Sequence, residues 1–285
     1  ILVYGYFKSL PENIKKAMKE PNRVILSGSF NNFGVIQTAS LEPLSETSLD
    51  ILKRFSHVFE QSYTRFLDLK KAEAQAREAQ IEAALEKVRS RTMAMQKSDE
   101  LPDAANLLFK QVESLGIPAW SAGFCIWDKD QQNTTQWMSS EGVLQPPINI
   151  PMTEYPMFIR TVEAAIRGDS LFVEESGGEE LKKHYDYLRT LPVVGAVVES
   201  IIEAGHELPR YQINHNVFFS HGYLLFITYE QVPEAHDIFK RFGSVFEQTY
   251  TRFLDLKKAE AQAREAQIEA ALEKVRSRTM AMQHS

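Results

Sequence analysis

The longest regular pattern of apolar and polar positions runs through the second quarter of the chain and returns at its end. Leu67–Gln96 contains no Gly or Pro and is dominated by Ala, Glu, Lys, Arg and Gln, all strong helix formers. Apolar residues recur every seven positions at Leu67, Ala74, Ile81, Val88 and Met95, and Leu85 and Thr92 fill the intermediate position. This spacing predicts a long helix with a narrow apolar seam. Opposite charges at helical spacing, Glu73–Arg77 and Glu86–Arg89, support it. The front of the segment, with Phe55, Val58, Phe59, Tyr63 and Phe66, is too aromatic for a solvated helix. It predicts packing on the preceding domain, with the helix then projecting away.

The segment is duplicated. Phe55–Gln96 reappears as Phe242–Gln283 and differs only at Ser56/Gly243, His57/Ser244 and Ser62/Thr249. A weaker match reaches upstream. Asp50–Arg54 pairs with Asp237–Arg241, Ile25–Glu42 with Ile213–Glu230, and Tyr4–Pro11 with Tyr185–Pro192. The predicted layout has four parts. Residues 1–46 are the C-terminal part of a truncated domain, and 47–100 are the first long helix. Residues 101–233 are the complete domain, and 234–285 the second helix copy. A half-domain leaves a sheet edge unpaired, so 1–46 is expected to be disordered or completed by another chain. A lone seam of this kind is buried most simply against a second helix. The expectation is a parallel homodimer through Leu67, Ala74, Ile81, Leu85, Val88 and Met95, and through Ile268, Leu272 and Val275 in the second copy.

Between the copies the periodicity changes. Pro102 ends the helical run near Ser98–Leu101, with Ser98 or Asp99 as the cap of a helix Pro102–Leu115. Trp120–Trp127 and Thr134–Met138 read as a hairpin around a polar turn. Glu141–Pro156 carries four prolines and predicts an irregular loop. Helical spacing follows at Met157–Arg167, a short strand at Ser170–Glu174, and helices at Glu179–Leu188 and Val193–Ala204. Tyr211–Phe219 and Gly222–Tyr229 form a second hairpin before the chain re-enters a long helix. The fold class is α+β, an antiparallel sheet flanked by helices.

Composition narrows the function more by exclusion. The 285 residues carry a net charge of −6, a poor match for a phosphate backbone, so no nucleic acid is expected. Much of the charge lies in the two duplicated segments. The single cysteine, Cys125, excludes an internal disulfide and a four-thiolate zinc site, and suits a reducing compartment. No run is long and apolar enough to span a bilayer, and Ile1–Tyr6 lacks the features of a signal peptide. The expectation is a cytoplasmic piece of a larger tandem array, with no membrane partner.

Candidate motifs for chemistry are few. Gly177-Gly178-Glu179-Glu180-Leu181 is similar to the signature of diguanylate cyclases, but a helical pattern follows it where a strand is needed. Glutamates favouring a helix start account for it better. No His lies in a phospho-acceptor pattern, and His57 is replaced by Ser244 in the second copy. His206, His215 and His221 fit no compact metal site, and Cys125 reads as a small buried hydrophobe in a strand. No cofactor and no catalytic residue is expected.

The order of elements resembles a GAF-type sensor domain. The VFEQTYTRFLDLKKAEAQAREAQIEAALEKVRSRTMAMQ, WSAGFCIW, LPVVG and FITYEQVPEAHDIFKRF stretches resemble the N-terminal regions of large bacterial cytosolic sensor histidine kinases of the Bacteroidetes type. The resemblance implies a non-catalytic sensory or relay region, coupled through coiled-coil signalling helices to a downstream kinase or other output domain. It places a pocket for an unknown small-molecule ligand between the sheet and the 141–172 region, with Trp137, Tyr155 and His215 as candidate contacts. A ligand-free structural spacer and a cyclic-nucleotide-related enzyme are the alternatives.

Overall fold

The computed structural model describes residues 9, 11–17, 23–97, 100–140, 143–203, 205 and 207–283. The Tyr4–Lys8 part of the upstream match, the caps Ser98 and Asp99, and His206 lie outside the described residues. The chain divides into two units, Ile1–Arg77 and Glu78–Ser285.

The first unit contains helix α1 (Glu12–Ala17), strands β1 (Ile25–Asn31) and β2 (Gly34–Ser40), and the front of α2 (Glu46–Met93). β1 and β2 form an antiparallel hairpin that closes at Asn31 and Gly34. The expected disorder of 1–46 does not extend to it. Asn31 Nδ2 donates to Ser56 Oγ at 3.0 Å, and Ser56 Oγ donates to the Ser29 carbonyl at 3.1 Å. Phe33 lies edge-on to Tyr63 with ring centroids 4.8 Å apart. The hairpin satisfies its inner backbone groups by itself and is seated on its own helix. Among the described residues both outer edges are unpaired, and Phe30, Phe55 and Val58 stay exposed.

The second unit begins with the end of α2 and continues through α3 (Leu101–Ser114), β3 (Ala119–Trp127), β4 (Asn133–Ser140), β5 (Val143–Leu144) and β6 (Ile148–Pro151). Then come α4 (Pro156–Arg167), β7 (Leu171–Gly177), α5 (Gly178–Thr190), α6 (Pro192–Glu203), β8 (Tyr211–Phe219), β9 (Gly222–Thr228) and α7 (His236–Gln283). The sheet order is β5–β4–β3–β9–β8–β7, with β6 also on β4, and every pairing is antiparallel. The β8–β9 hairpin occupies the positions that match β1–β2 in the repeat, turn included.

The 141–156 segment is not wholly irregular. Pro146 and Pro147 break the chain, but Ile148 and Ile150 alternate inward, and the segment between Ile148 and Pro151 pairs with β4. Pro151 is tolerated because it ends an outer strand. α4 is closed by Gly168, whose φ of +81° suits glycine, with its N–H bonded to the Ala165 carbonyl.

Strand alternation divides the core between the two faces of the sheet. Phe124, Val217, Leu224 and Phe226 point to one face. There they meet α3, through Leu108 and Val112, and the front of α7, through Phe239, Phe242 and Phe246. Phe226 stacks on Phe239 at 4.2 Å, and Phe124 lies 4.6 Å from Phe246. Cys125, Tyr223 and Leu225 point to the other face, under α4, α5 and α6.

Part of the expected dimer seam is covered within the chain. Ile81, Leu85 and Val88 of α2 are buried in the same cluster as α3 and the front of α7, and Met95 is buried as well. Arg241 of α7 closes the join with bonds to Glu78 and Glu82 at 2.8 and 2.7 Å. At the corner into α3, the Glu100 carboxylate accepts from Arg91 at 2.8 Å and from the Gln96 and Lys97 N–H groups at 2.9 and 3.0 Å. The Arg91 guanidinium first, then these two donors, hold the Glu100 carboxyl down to about 2. This part of the seam is satisfied by its own domain. Leu67, Ala74, Ile268, Leu272 and Val275 are exposed.

Candidate functional site

The face of the sheet away from the long helices carries a cavity of about 140 Å³. Its floor is set by pleating. In β4 the residues Gln136, Met138 and Ser140 point into it; in β8, Gln212, Asn214 and Asn216; in β9, Tyr223, Leu225 and Ile227. A register shift in β3 between Ala119 and Ser121 brings Trp120 and Ser121 to it together. The roof is Met157, Phe158 and Thr161 from α4, His184, Tyr185 and Leu188 from α5, and Val194 and Val198 from α6.

The floor is polar, but its amides are tethered. Tyr185 Oη donates to Gln212 Oε1 at 2.8 Å, and Gln212 Nε2 donates to Asn214 Oδ1 at 3.1 Å. Gln136 Nε2 reaches Thr134 Oγ1 and Tyr223 Oη at 3.3 and 3.4 Å. Among the described residues, two in the lining carry a buried polar atom without a partner, Trp120 Nε1 and His184 Nδ1. Such atoms are costly unless something meets them. Burial pushes the His184 imidazole down to about 4, so it is neutral at pH 7. No Asp, Glu, Lys or Arg is among the described residues lining the cavity.

The candidate contacts separate. Trp137 and His215 stand on the opposite face of the sheet, because each is one residue away from an inward-pointing neighbour, Gln136 or Asn214. Trp137 stacks on Phe124 at 5.0 Å. His215 bonds Thr228 Oγ1 at 2.9 Å and lies 5.2 Å from Phe239 and 5.3 Å from His236. Thr228 Oγ1 donates to the Glu230 carbonyl at 2.8 Å, so it accepts from His215 Nε2–H. Tyr155 precedes α4 and stacks on Tyr187 at 4.9 Å, over the roof and not in the lining.

Sequence reasoning missed Gln136, His184, Gln212 and Asn214. The signal was present in part: Gln212-Ile213-Asn214-His215-Asn216 alternates amides with other residues in a strand buried along most of its length. Nothing local marks His184.

The remaining motifs are quiet. The Gly177–Gly178 pair joins β7 to α5, with Glu179 and Glu180 in the first helical turn. Arg160 is bonded to both Glu174 and Glu180. His221 sits in the β8–β9 turn against Tyr250. Cys125 is fully buried, which pushes its thiol well above the usual range and makes it a poor nucleophile. Among the described residues no three of His, Cys, Asp and Glu converge as a metal site, and no helix is long and apolar enough to cross a membrane.

Among solved structures the chain is similar to the GAF domain of the Acinetobacter phosphoenolpyruvate-protein phosphotransferase. The identity is 11% and the TM-score 0.37, over 63% of this chain and 93% of that one. No family model matches the chain, and no curated protein matches it.

Proposed function

We propose that the second unit is a ligand-binding sensory domain whose signal passes through the sheet to the helices on its far side. The observation that carries this reading is the cavity itself, which is largely apolar, roofed by three helices and holds unpartnered Trp120 Nε1 and His184 Nδ1. A cavity of this size takes roughly one aromatic ring. Its lining offers amides, hydroxyls and one neutral imidazole but no charge, and burying an unpaired phosphate or carboxylate there would be costly. The ligand is therefore a small uncharged ring compound that accepts a hydrogen bond from Trp120 and meets the His184 nitrogen.

The route out is short. Asn214 faces the cavity while its neighbour His215 lies against Phe239 of α7, and Leu224 faces the α7 side between Tyr223 and Leu225 on the cavity side. A ligand that binds one arrangement of the sheet better shifts the packing of Phe239 and Phe246 with it. In this reading the chain is a non-catalytic relay region of a bacterial signalling protein that feeds an output domain such as a histidine kinase. The resemblance of the duplicated helix supports that context.

The test is a thermal-shift comparison on the full chain with nicotinamide, nicotinate and a cyclic nucleotide, repeated on Val198→Trp, which fills the cavity. The expected result is stabilisation by the neutral amide alone, lost in Val198→Trp. Stabilisation by the anionic compounds, or an effect that survives filling, would overturn the reading.

A further inference from the structure

The duplicated helix displays one surface twice, once covered and once, among the described residues, with Ile268 and Leu272 exposed. In the first copy Ile81 and Leu85 are 6% and 3% exposed; their counterparts Ile268 and Leu272 are 44% and 53% exposed. The residues are identical, so the difference lies in what packs on them. In the first copy the cover is α3 and the front of α7, from the domain that follows it. The charges repeat too. Glu78 and Glu82 hold Arg241, and their counterparts Glu265 and Glu269 are exposed.

We infer that the Ile268–Leu272–Val275 face is a docking surface for a domain built like residues 101–250. That domain would lay a helix equivalent to α3 over Ile268 and Leu272. It would present an arginine equivalent to Arg241 to Glu265 and Glu269. The twin surface in this chain is itself the precedent, since the same side chains in the same order are already buried by this build. A second identical helix in a parallel dimer, with Ile268 and Leu272 in the seam, would set Glu265 against its own copy. This inference does not depend on the ligand cavity.

The test is thiol labelling, with a background kept low by the burial of Cys125, the only cysteine. Leu272→Cys is made in the chain as it stands and in a chain extended after Ser285 by a second copy of residues 101–250. Leu85→Cys in the unextended chain gives the rate for a covered site. The expected result is free labelling of Leu272→Cys in the unextended chain. In the extended chain it should slow at least about tenfold, towards the Leu85→Cys rate. Concentration-dependent protection in the unextended chain, with a dimer on sedimentation, would show that a second copy takes the face. Continued free labelling in the extended chain, with both buried Cys125 copies unreactive, would equally overturn the inference. If the appended domain fails to fold, Leu85→Asp decides: it loosens the covered helix, so another chain's 268–275 segment should fill the vacated site. Association that Leu272→Asp abolishes is expected, and absence of association counts against the inference.

Discussion

Leu85 and Leu272 hold the same position in two identical helical stretches, yet Leu85 is 3% exposed and Leu272 53% exposed. Leu85 lies among α3 and the front of α7; Leu272 has no such cover among the described residues. Truncation should separate them. Leu85→Ala is expected to cost about 2–5 kcal/mol, the range for a buried leucine whose site cannot collapse. Leu272→Ala should stay within about 0.5 kcal/mol, as for an exposed position. Urea unfolding followed by tryptophan fluorescence reads both, and equal losses would contradict the assignment.

One of the three differences between the copies has a steric cause. A Cβ at Gly243 would sit 2.6 Å from Val217 Cγ1, too close for either to stay in place. In the first unit the matching position is Ser56, whose hydroxyl bonds the hairpin at Ser29 and Asn31. Gly→Ala inside a helix normally gains about 1 kcal/mol. Gly243→Ala should instead lose about 1–3 kcal/mol through overpacking. A rise in thermal midpoint would show that the helix can lift off β8 freely.

Acid should weaken the second unit before its carboxylates titrate. Burial pushes His184 and His215 down to about 4 each, and the neighbouring His236 adds to the shift at His215. In the unfolded chain both titrate near 6.5, so over the window from about 6.5 down to about 4 the unfolded state holds more protons. Stability is full above that window and falls as the pH drops through it, by up to about 3 kcal/mol per histidine. Glu174, raised by burial, works in the opposite direction. The urea midpoint should fall between pH 7 and pH 4.5, and by clearly less in His184→Phe. The same slope in both proteins would remove His184 from the account.

The β8–β9 turn allows no side chain on its β9 side. A Cβ at Gly222 would lie 1.8 Å from the Cys125 carbonyl oxygen, a backbone atom that cannot swing aside. Gly222→Ala should cost on the order of 3 kcal/mol or more and disrupt the β3–β9 pairing. Circular dichroism of the purified variant checks this, and a wild-type melting curve would mean that the strands can separate at little cost.

Much of the fold was legible because local chemistry and tertiary packing agree. Alternating strands, a proline in the first turn of α3 and Gly168 after α4 mark element ends through backbone geometry alone. The Ile148–Pro151 strand was hidden because prolines around it look like a loop, and only β4 supplies its partner. Of the candidate contacts, Trp137 and His215 lie on the face away from the cavity. A strand presents successive residues to opposite faces, and composition does not say which face holds the cavity. His184 became significant only when α5 brought it over the sheet.

By itself the sequence determined the duplicated helix, its length and its apolar seam, because helix propensity and periodicity are local properties. It also determined the antiparallel α+β class. Only the tertiary structure decided which copy of the seam is covered, which face of the sheet carries the cavity, and that the 25–40 hairpin can rest on its own helix. These depend on neighbours brought together from distant parts of the chain. Two identical sequences can therefore end in opposite environments.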